Sequence, residues 1–313
     1  MNESQQSSIE CKVYPTLQSE GNHRNFTFST LRHRPLLDHI EIEIEGECKI
    51  EKKDDLQKQE LNLNLKEIDT IEDFYGAFIA RTDQECKDEL LHLQKSEGWL
   101  KSRHYCITAS QFGTALGLNP YQNPDDFIQE KLYHKFEGNA STEWGNEHEN
   151  DARKIFYSWI QSHFISLGYS QIEFLEPNLI KYSTCPWIGV SPDGIVKYVN
   201  SENKECWDLI EYKCPSKYEK DKNPYDKYVL GVPPQYMAQI QGIMGYCNNF
   251  SQEYKFTKAW FIVWTPHNTF IKEVMYKEDY FNCMYKELQE WYFKKYLPNV
   301  FLQFKNIKTQ IIL

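Results

Sequence analysis

The chain has 313 residues, 45 of them acidic and 35 basic, for a net charge of −10. Hydrophobic residues make up 41% and aromatic residues 15%, which excludes a low-complexity, disordered polypeptide. No apolar run reaches the length of a membrane span. The acidic balance argues against a protein that coats nucleic acid. It leaves room for an enzyme whose carboxylates hold a metal and whose basic residues line one channel.

Nine cysteines are scattered from Cys11 to Cys283 without a CxxC pair. That pattern speaks against a disulfide framework or a structural zinc site and for thiols kept reduced. The opening MNESQQSSIE lacks the basic and apolar regions of a signal peptide. The expectation is an intracellular protein of the cytoplasm or nucleus, neither secreted nor attached to a membrane.

Residues 1–35 show weak periodicity. His39–Glu45 and Leu61–Leu65 alternate strictly and read as half-buried strands either side of the charged stretch Glu51–Asp55. Residues 1–90 are therefore expected to form an N-terminal extension, hairpin-like or partly disordered. From Thr82 the pattern turns helical: Thr82 with Glu85 makes a capping box, and the helix should carry Leu90, Leu91 and Leu93 to about Trp99. A second helix is expected over Gln111–Leu116, ended by Gly117. Asn123-Pro124-Asp125-Asp126 is a strong helix start, with a cap, a proline and acids against the dipole. A long helix follows from about Thr142 to Ile165.

Strand-like segments come next: Ile172–Leu175, Leu179–Tyr182, Trp187–Val190, Ile195–Tyr198 and Trp207–Tyr212. Pro233-Pro234 opens a helix to about Cys247. Ala259–Trp264 and Phe270–Tyr276 read as neighbouring strands, and Asp279–Tyr296 as a closing helix. This order predicts an α/β (α+β) fold, a central mixed sheet flanked by helices. The nuclease-like domain is expected over residues 91–300, with 301–313 as a tail.

The chemistry concentrates in two segments. Ser191-Pro192-Asp193-Gly194 puts a carboxylate on a turn. Leu209-Ile210-Glu211-Tyr212-Lys213 puts a carboxylate and an ammonium two residues apart in an apolar run. Strand side chains alternate, so Glu211 and Lys213 share a face while Tyr212 points away. Each piece alone is ordinary, since turns often carry Asp and exposed strands often carry Glu-x-Lys. Charges inside an apolar strand are costly unless paired or ligated, so the combination points to a hard divalent cation and a phosphodiester-cleaving site. A third acid, Glu149, lies four residues from Arg153 on the long helix, either as a surface ion pair or as part of the metal site. His148 beside it has no HExxH spacing, against zinc. Lys217, Lys220, Lys222 and Lys227, interleaved with tyrosines, could track a DNA strand or form a solvated loop.

These residues resemble, in order, the PD-(D/E)XK nuclease superfamily and within it the lambda exonuclease family of YqaJ-type viral recombinases. Arg103 and Ile107-Thr108-Ala109-Ser110 resemble the block that holds a terminal 5′-phosphate. Trp144-Gly145 with Glu149–Arg153 resembles the helix of the first acid. Ser191–Gly194 resembles the metal-ligand turn, Glu211–Pro215 the E-x-K strand, and Tyr236–Gln241 the helix that brings a glutamine to the site. The likeness covers about residues 95–280. Some members carry another acid about ten positions before the turn Asp; here that stretch is Lys181–Cys185.

The resemblance implies a PD-(D/E)XK core and a Mg²⁺-dependent exodeoxyribonuclease, with Mn²⁺ as a substitute, acting on double-stranded DNA ends in the 5′-to-3′ direction. It implies a role in recombination, repair or viral DNA processing. Asp193, Glu211, the Tyr212 carbonyl and Glu149 would hold the metal. Lys213 and Gln239 would complete the catalytic set, and Arg103, Ser110 and Ser191 would bind the 5′-phosphate. The family also allows a homo-oligomer, a trimeric ring, and a single-strand annealing or binding protein as partner. An endonuclease on the same fold and a non-catalytic DNA-binding module remain as alternatives.

Overall fold

The computed structural model describes residues 12–13, 68–133, 140–216, 228, 231–251 and 253–312. The strands expected at His39–Glu45 and Leu61–Leu65, and the lysine run from Lys217 to Lys227, lie outside the described residues.

A six-stranded mixed sheet forms the centre, ordered β1-β8-β7-β6-β5-β3. Its strands are β1 (Lys12–Val13), β3 (Ser170–Leu175), β5 (Gly194–Val199), β6 (Glu205–Lys213), β7 (Phe256–Trp264) and β8 (Thr269–Met275). β6 runs antiparallel to β5 and parallel to β7, with Gly194 opposite Ile210 and Lys213 opposite Val263. A separate two-strand ladder joins β2 (Ile107–Thr108) in parallel to β4 (Ile188–Gly189). This is the expected α/β core with helices on its faces.

The period-2 alternation of β6 and β7 divides the core in two. Leu209, Ala259, Phe261 and Val263 face one cluster. Ile210, Tyr212, Trp260 and Ile262 face the other, closed by Ala152, Phe156, Ile160 and Phe164. Those four belong to the long helix α6 (Ala140–Ser166), whose apolar stripe repeats at helical spacing and reaches zero exposure at all four positions. On the opposite face lie α4 (Ala109–Ala115), α7 (Pro234–Phe250) and α8 (Glu278–Trp291).

Close approach between these helices depends on small residues. A Cβ added to Gly113 of α4 would stand 2.6 Å from the Gln235 Cα of α7. One added to Gly242 of α7 would stand 2.4 Å from the Phe112 ring of α4. Both contacts are far inside van der Waals separation, so α4 and α7 seat as one unit only because these positions carry no side chain.

Several local expectations are corrected. The helix starting at Thr82 has its capping box, with Thr82 N donating to Glu85 Oε2 at 2.7 Å, but it ends at Leu90. That helix, α2 (Asp83–Leu90), is followed by a loop and a separate α3 (Glu97–Ser102), capped by Ser96. Leu91 and Leu93 are 75% and 72% exposed, so no buried face pulls the helix onward. Leu179–Tyr182 is not a strand but a single antiparallel bridge from Ile180 to Val190. The closing helix does not stop at Tyr296: a π-turn over Tyr292–Tyr296 runs into α9 (Leu297–Ile312). Phe301 and Phe304 of α9 are buried against Phe74 of α1 (Ile71–Phe78), with ring centroids 5.8 and 5.1 Å apart. Pro124 begins α5 (Pro124–Tyr133), where Asn123 Oδ1 accepts from the Asp125 and Asp126 amides as the cap.

Candidate active site

The turn Ser191–Asp193 leads directly into β5, whose ladder with β6 ends at the Gly194–Ile210 pair. Beyond that pair the Tyr212 amide has no strand partner on the β5 side. The Asp193 carboxylate takes its place, accepting from Tyr212 N at 2.8 Å. A strand residue points its N–H and C=O to the same side, so the Tyr212 carbonyl also faces the Asp193 turn. The Tyr212 ring lies on the opposite face of the sheet, edge-on to Phe156 of α6.

Glu211 and Lys213 share the other face. Glu211 has no exposed surface. Its Oε1 accepts from Lys213 Nζ at 2.6 Å and from Gln239 Nε2 of α7 at 2.6 Å. Lys213 Nζ also reaches Gln239 Oε1 at 3.3 Å and lies 4.8 Å from the Tyr236 ring centroid. The second Glu211 oxygen, Oε2, is buried with no hydrogen-bond partner. A buried carboxylate oxygen without a donor is costly, and a cation is the partner its chemistry calls for.

Glu149 comes in from α6. Its Oε1 accepts from Arg153 Nη2 at 2.8 Å, and the same guanidinium binds Glu176 Oε2 at 3.0 Å and approaches the Asp193 carbonyl at 3.5 Å. Arg153 therefore ties the helix to the turn, and Glu149–Arg153 is more than a surface pair. Glu149 is itself raised in pKa, first by burial and then by the Asp193 charge.

Electrostatics show strain among the acids. Asp193 is pushed up to about 7, chiefly by burial and next by the Glu211 carboxylate. Glu211 is also raised, by burial, against the pull of Lys213. Lys213 is shifted upward because the charges of Glu211 and Asp193 outweigh its own burial. Crowded carboxylates that resist ionisation together would be relieved by a divalent cation.

Among the described residues no three His, Cys, Asp or Glu side chains form a ready metal cage. The donors here are two carboxylates, Asp193 and Glu211, and the Tyr212 carbonyl, with Glu149 beside them. Such a set suits magnesium, which takes one or two carboxylates and keeps several waters. His148 is engaged elsewhere, between Trp144 and Trp264 at 4.1 and 5.0 Å and bonded to Asp151 Oδ2 at 3.1 Å. In the stretch before the turn, Lys181 is buried and pairs with Glu89 at 3.0 Å.

Arg103 and Ser110 belong to a second cluster, linked through Thr108, and Ser191 follows the neighbouring strand of the β2–β4 ladder. Arg103 follows α3, its guanidinium 3.8 Å from the Trp99 ring centroid, and donates to Thr108 Oγ1 at 3.2 Å. Thr108 Oγ1 lies 3.4 Å from Ser110 Oγ. Because β2 and β4 run parallel, the chain leaves both at the same end: one exit leads to Ser110, the other to Ser191 and Asp193. Ser191 Oγ is buried and without a partner. The short ladder is thus what joins the arginine cluster to the carboxylate cluster.

Four contributors to these clusters escaped the sequence reading: Tyr236 under Lys213, Trp99 under Arg103, Glu176 on Arg153, and Lys131. Lys131 of α5 donates to the Cys106 carbonyl at 2.7 Å and to Gln111 Oε1 at 3.0 Å. The spacing Thr108-x-x-Gln111, a capping-box pattern, was the one local signal for this group: Thr108 N donates to Gln111 Oε1 at 3.1 Å. The other partners are distant in sequence and left no pattern.

Comparison with known proteins follows the same segments. Residues 98–248 match the family described as YqaJ-like viral recombinase domain, a span holding the turn, strand and helices of both clusters. Two African swine fever virus proteins, from the Pretoriuskop isolate and the Badajoz strain, are 25% and 24% identical over 160 residues. The aligned stretch covers 47% of this chain and 44% of each of them, so the chain matches less than half the length of these curated relatives. An alkaline exonuclease from Laribacter hongkongensis, LHK-Exo, is similar over 69% of this chain and 98% of its own, at 19% identity and a TM-score of 0.47. Its complex with dAMP gives 18% and 0.48. What the chain shares with the YqaJ-like viral recombinase domain is the segment of residues 98–248, just under half its length.

Proposed function

We propose that this chain is a Mg²⁺-dependent deoxyribonuclease that hydrolyses phosphodiester bonds from the ends of double-stranded DNA in the 5′-to-3′ direction. The observation that carries the reading is the buried Glu211 carboxylate. One of its oxygens is held by Lys213 and Gln239 and the other is unpartnered, with Asp193 alongside. A binding module gains nothing from clustered carboxylates that would face phosphates, whereas a metal-dependent hydrolase requires them. The match of residues 98–248 to the YqaJ-like viral recombinase domain supports work on DNA in recombination, repair or viral DNA processing.

Asp193, Glu211 and the Tyr212 carbonyl would hold the magnesium, with Glu149 as an outer or second-metal ligand and Mn²⁺ as a substitute. Bound there, the metal would acidify a coordinated water and offset charge on the scissile phosphate. Lys213 places its ammonium where negative charge develops, and Gln239 orients the Glu211 carboxylate. Arg103 offers a guanidinium suited to bidentate phosphate binding, and Ser110 and Ser191 offer hydroxyls. A phosphate pocket at a set distance from the metal would make cleavage depend on an end. A homotrimeric ring around the duplex and a single-strand annealing or binding partner belong to the same proposal.

The test is digestion of end-labelled linear duplex and closed circular DNA, with magnesium or EDTA, by native protein and Asp193→Ala. Metal-dependent loss of linear DNA only, abolished in the variant, is the expected result. Cutting of the circle would identify an endonuclease. Tight DNA binding with no cleavage under any divalent metal would overturn the enzymatic reading.

A further inference from the structure

Most of the buried and half-buried lysines among the described residues lie against a carboxylate. Lys181, Lys213, Lys258 and Lys308 each meet a carboxylate, at 3.0, 2.6, 2.9 and 3.0 Å. Lys131 meets none among the described residues. Its ammonium donates to a carbonyl and a side-chain amide, those of Cys106 and Gln111, and lies 4.9 Å from the Tyr296 ring centroid. Arg103 is in the same condition: its partners are the Thr108 hydroxyl and the Trp99 ring.

The two cations are close enough for Arg103 to disfavour the charge on Lys131, and both are disfavoured by burial. The Cys106 thiol is the titratable group next to both. They are also linked by bonds, since Gln111 Oε1 accepts from Lys131 and from the Thr108 amide, while the Thr108 hydroxyl accepts from Arg103. In a chain with ten more acids than bases (45 against 35), no carboxylate among the described residues meets either of these two desolvated cations. The missing charge is one that a ligand brings.

We propose that Lys131 is the second cation of the Arg103 site and determines preference for a terminal phosphate monoester over an internal phosphodiester. The reasoning is a charge match. A monoester is close to doubly charged above its second pKa near 6, whereas a diester carries a single charge. Each cation gains about twice as much from a dianion as from a monoanion, so a second cation widens the margin between them. Lys131 has three donors, two of them engaged, so it acts through its field and through the Gln111–Thr108 bonds that aim the Arg103 side of the site. The inference rests on the reading of Arg103, Ser110 and Ser191 as a phosphate pocket.

The experiment measures binding of duplexes with 5′-phosphate or 5′-hydroxyl ends by fluorescence anisotropy in EDTA, which separates end recognition from cleavage. Native protein, Arg103→Ala, Lys131→Met, Lys131→Arg and Gln111→Glu are compared. The expected result is a 5′-phosphate preference in the native protein that falls about tenfold in Lys131→Met. Lys131→Arg, which keeps the charge, should retain it. Gln111→Glu keeps the shape of the site but lends Lys131 a carboxylate, and should lose preference as Lys131→Met does. If Lys131→Met fails to fold, Gln111→Glu decides the matter. Full preference in Gln111→Glu, or in a folded Lys131→Met, overturns the role of Lys131 while leaving the pocket in place. Absence of any preference in the native protein overturns the pocket itself.

Discussion

Glu211 and Lys213, two positions apart on β6, meet at 2.6 Å on one face of the sheet, the carboxylate fully buried and the ammonium 22% exposed. The pleat makes this contact, and Gln239 braces it from α7. Lys213→Met would leave the Glu211 charge buried without its cation. Urea unfolding at pH 8 should show a loss of about 3 kcal/mol, shrinking as the pH falls and Glu211, raised by burial, takes up a proton. Cleavage should fall about 100- to 1000-fold. Unchanged stability at pH 8 and below would mean that the pair does not hold the strand end.

Magnesium should stabilise the folded protein through the same carboxylates. At a concentration about 100 times its Kd it would add about 2.7 kcal/mol, seen as a rise in Tm. Asp193→Asn removes one donor and relieves the repulsion with Glu211. The variant should start from an equal or higher Tm without metal and gain little on adding magnesium or manganese. An equal metal-induced rise in both proteins would remove Asp193 from the ligand set.

A second buried acid lies three residues before Glu211 on β6. Asp208 has no exposed surface and accepts from Trp260 Nε1 at 2.9 Å and Tyr198 OH at 3.4 Å, with Lys258 at 3.8 Å. Burial raises its pKa from 3.8 to about 7. The folded state therefore keeps a proton that the unfolded chain gives up. The resulting stability is present below about pH 4 and is lost as pH rises to about 7, on the order of 4 kcal/mol. Asp208→Asn should flatten that part of the pH–stability curve and be more stable than the native protein at pH 8. A curve unchanged in slope would show that Asp208 titrates normally.

Two glycines in helices should respond in opposite directions to alanine. Gly76 in α1 has nothing within 4 Å of an added Cβ, so Gly76→Ala should stabilise by about 0.5–1 kcal/mol through helix propensity. Gly242 in α7 would drive its new methyl to 2.4 Å from the Phe112 ring, and overpacking of about 1–3 kcal/mol outweighs the same gain. Gly242→Ala should therefore lower Tm and, by shifting α4 against α7, weaken 5′-phosphate preference. Equal Tm changes for both variants would refute the tight α4–α7 contact.

The strands and helices around the site were legible because their signals are local. Alternation in Leu209–Lys213 placed Glu211 and Lys213 on one face. The Pro-Asp-Gly turn placed Asp193 between two strands, and helical spacing placed Glu149 and Arg153 together. Where the reading went astray, the two reasons differ: Leu91 and Leu93 are exposed and meet no packing surface, whereas Leu179 and Ile180 are buried but pair through only one bridge. The continuation of the last helix past Tyr296 depends on Phe301 and Phe304 finding Phe74, more than 200 positions away.

The residues of the carboxylate cluster and their faces follow from spacing, since a strand's period and a turn's dihedrals are properties of the local chain. Only the folded chain decided how the charges are balanced. Glu211 is left with one oxygen unpartnered, Arg153 is spent on Glu149 and Glu176, and Lys131 stands by Arg103 with no carboxylate among the described residues. Coulomb interaction and desolvation depend on distance and burial in space, and segments that meet through β2 and β4 or through a missing side chain at Gly242 carry no mark of that meeting in their own sequence.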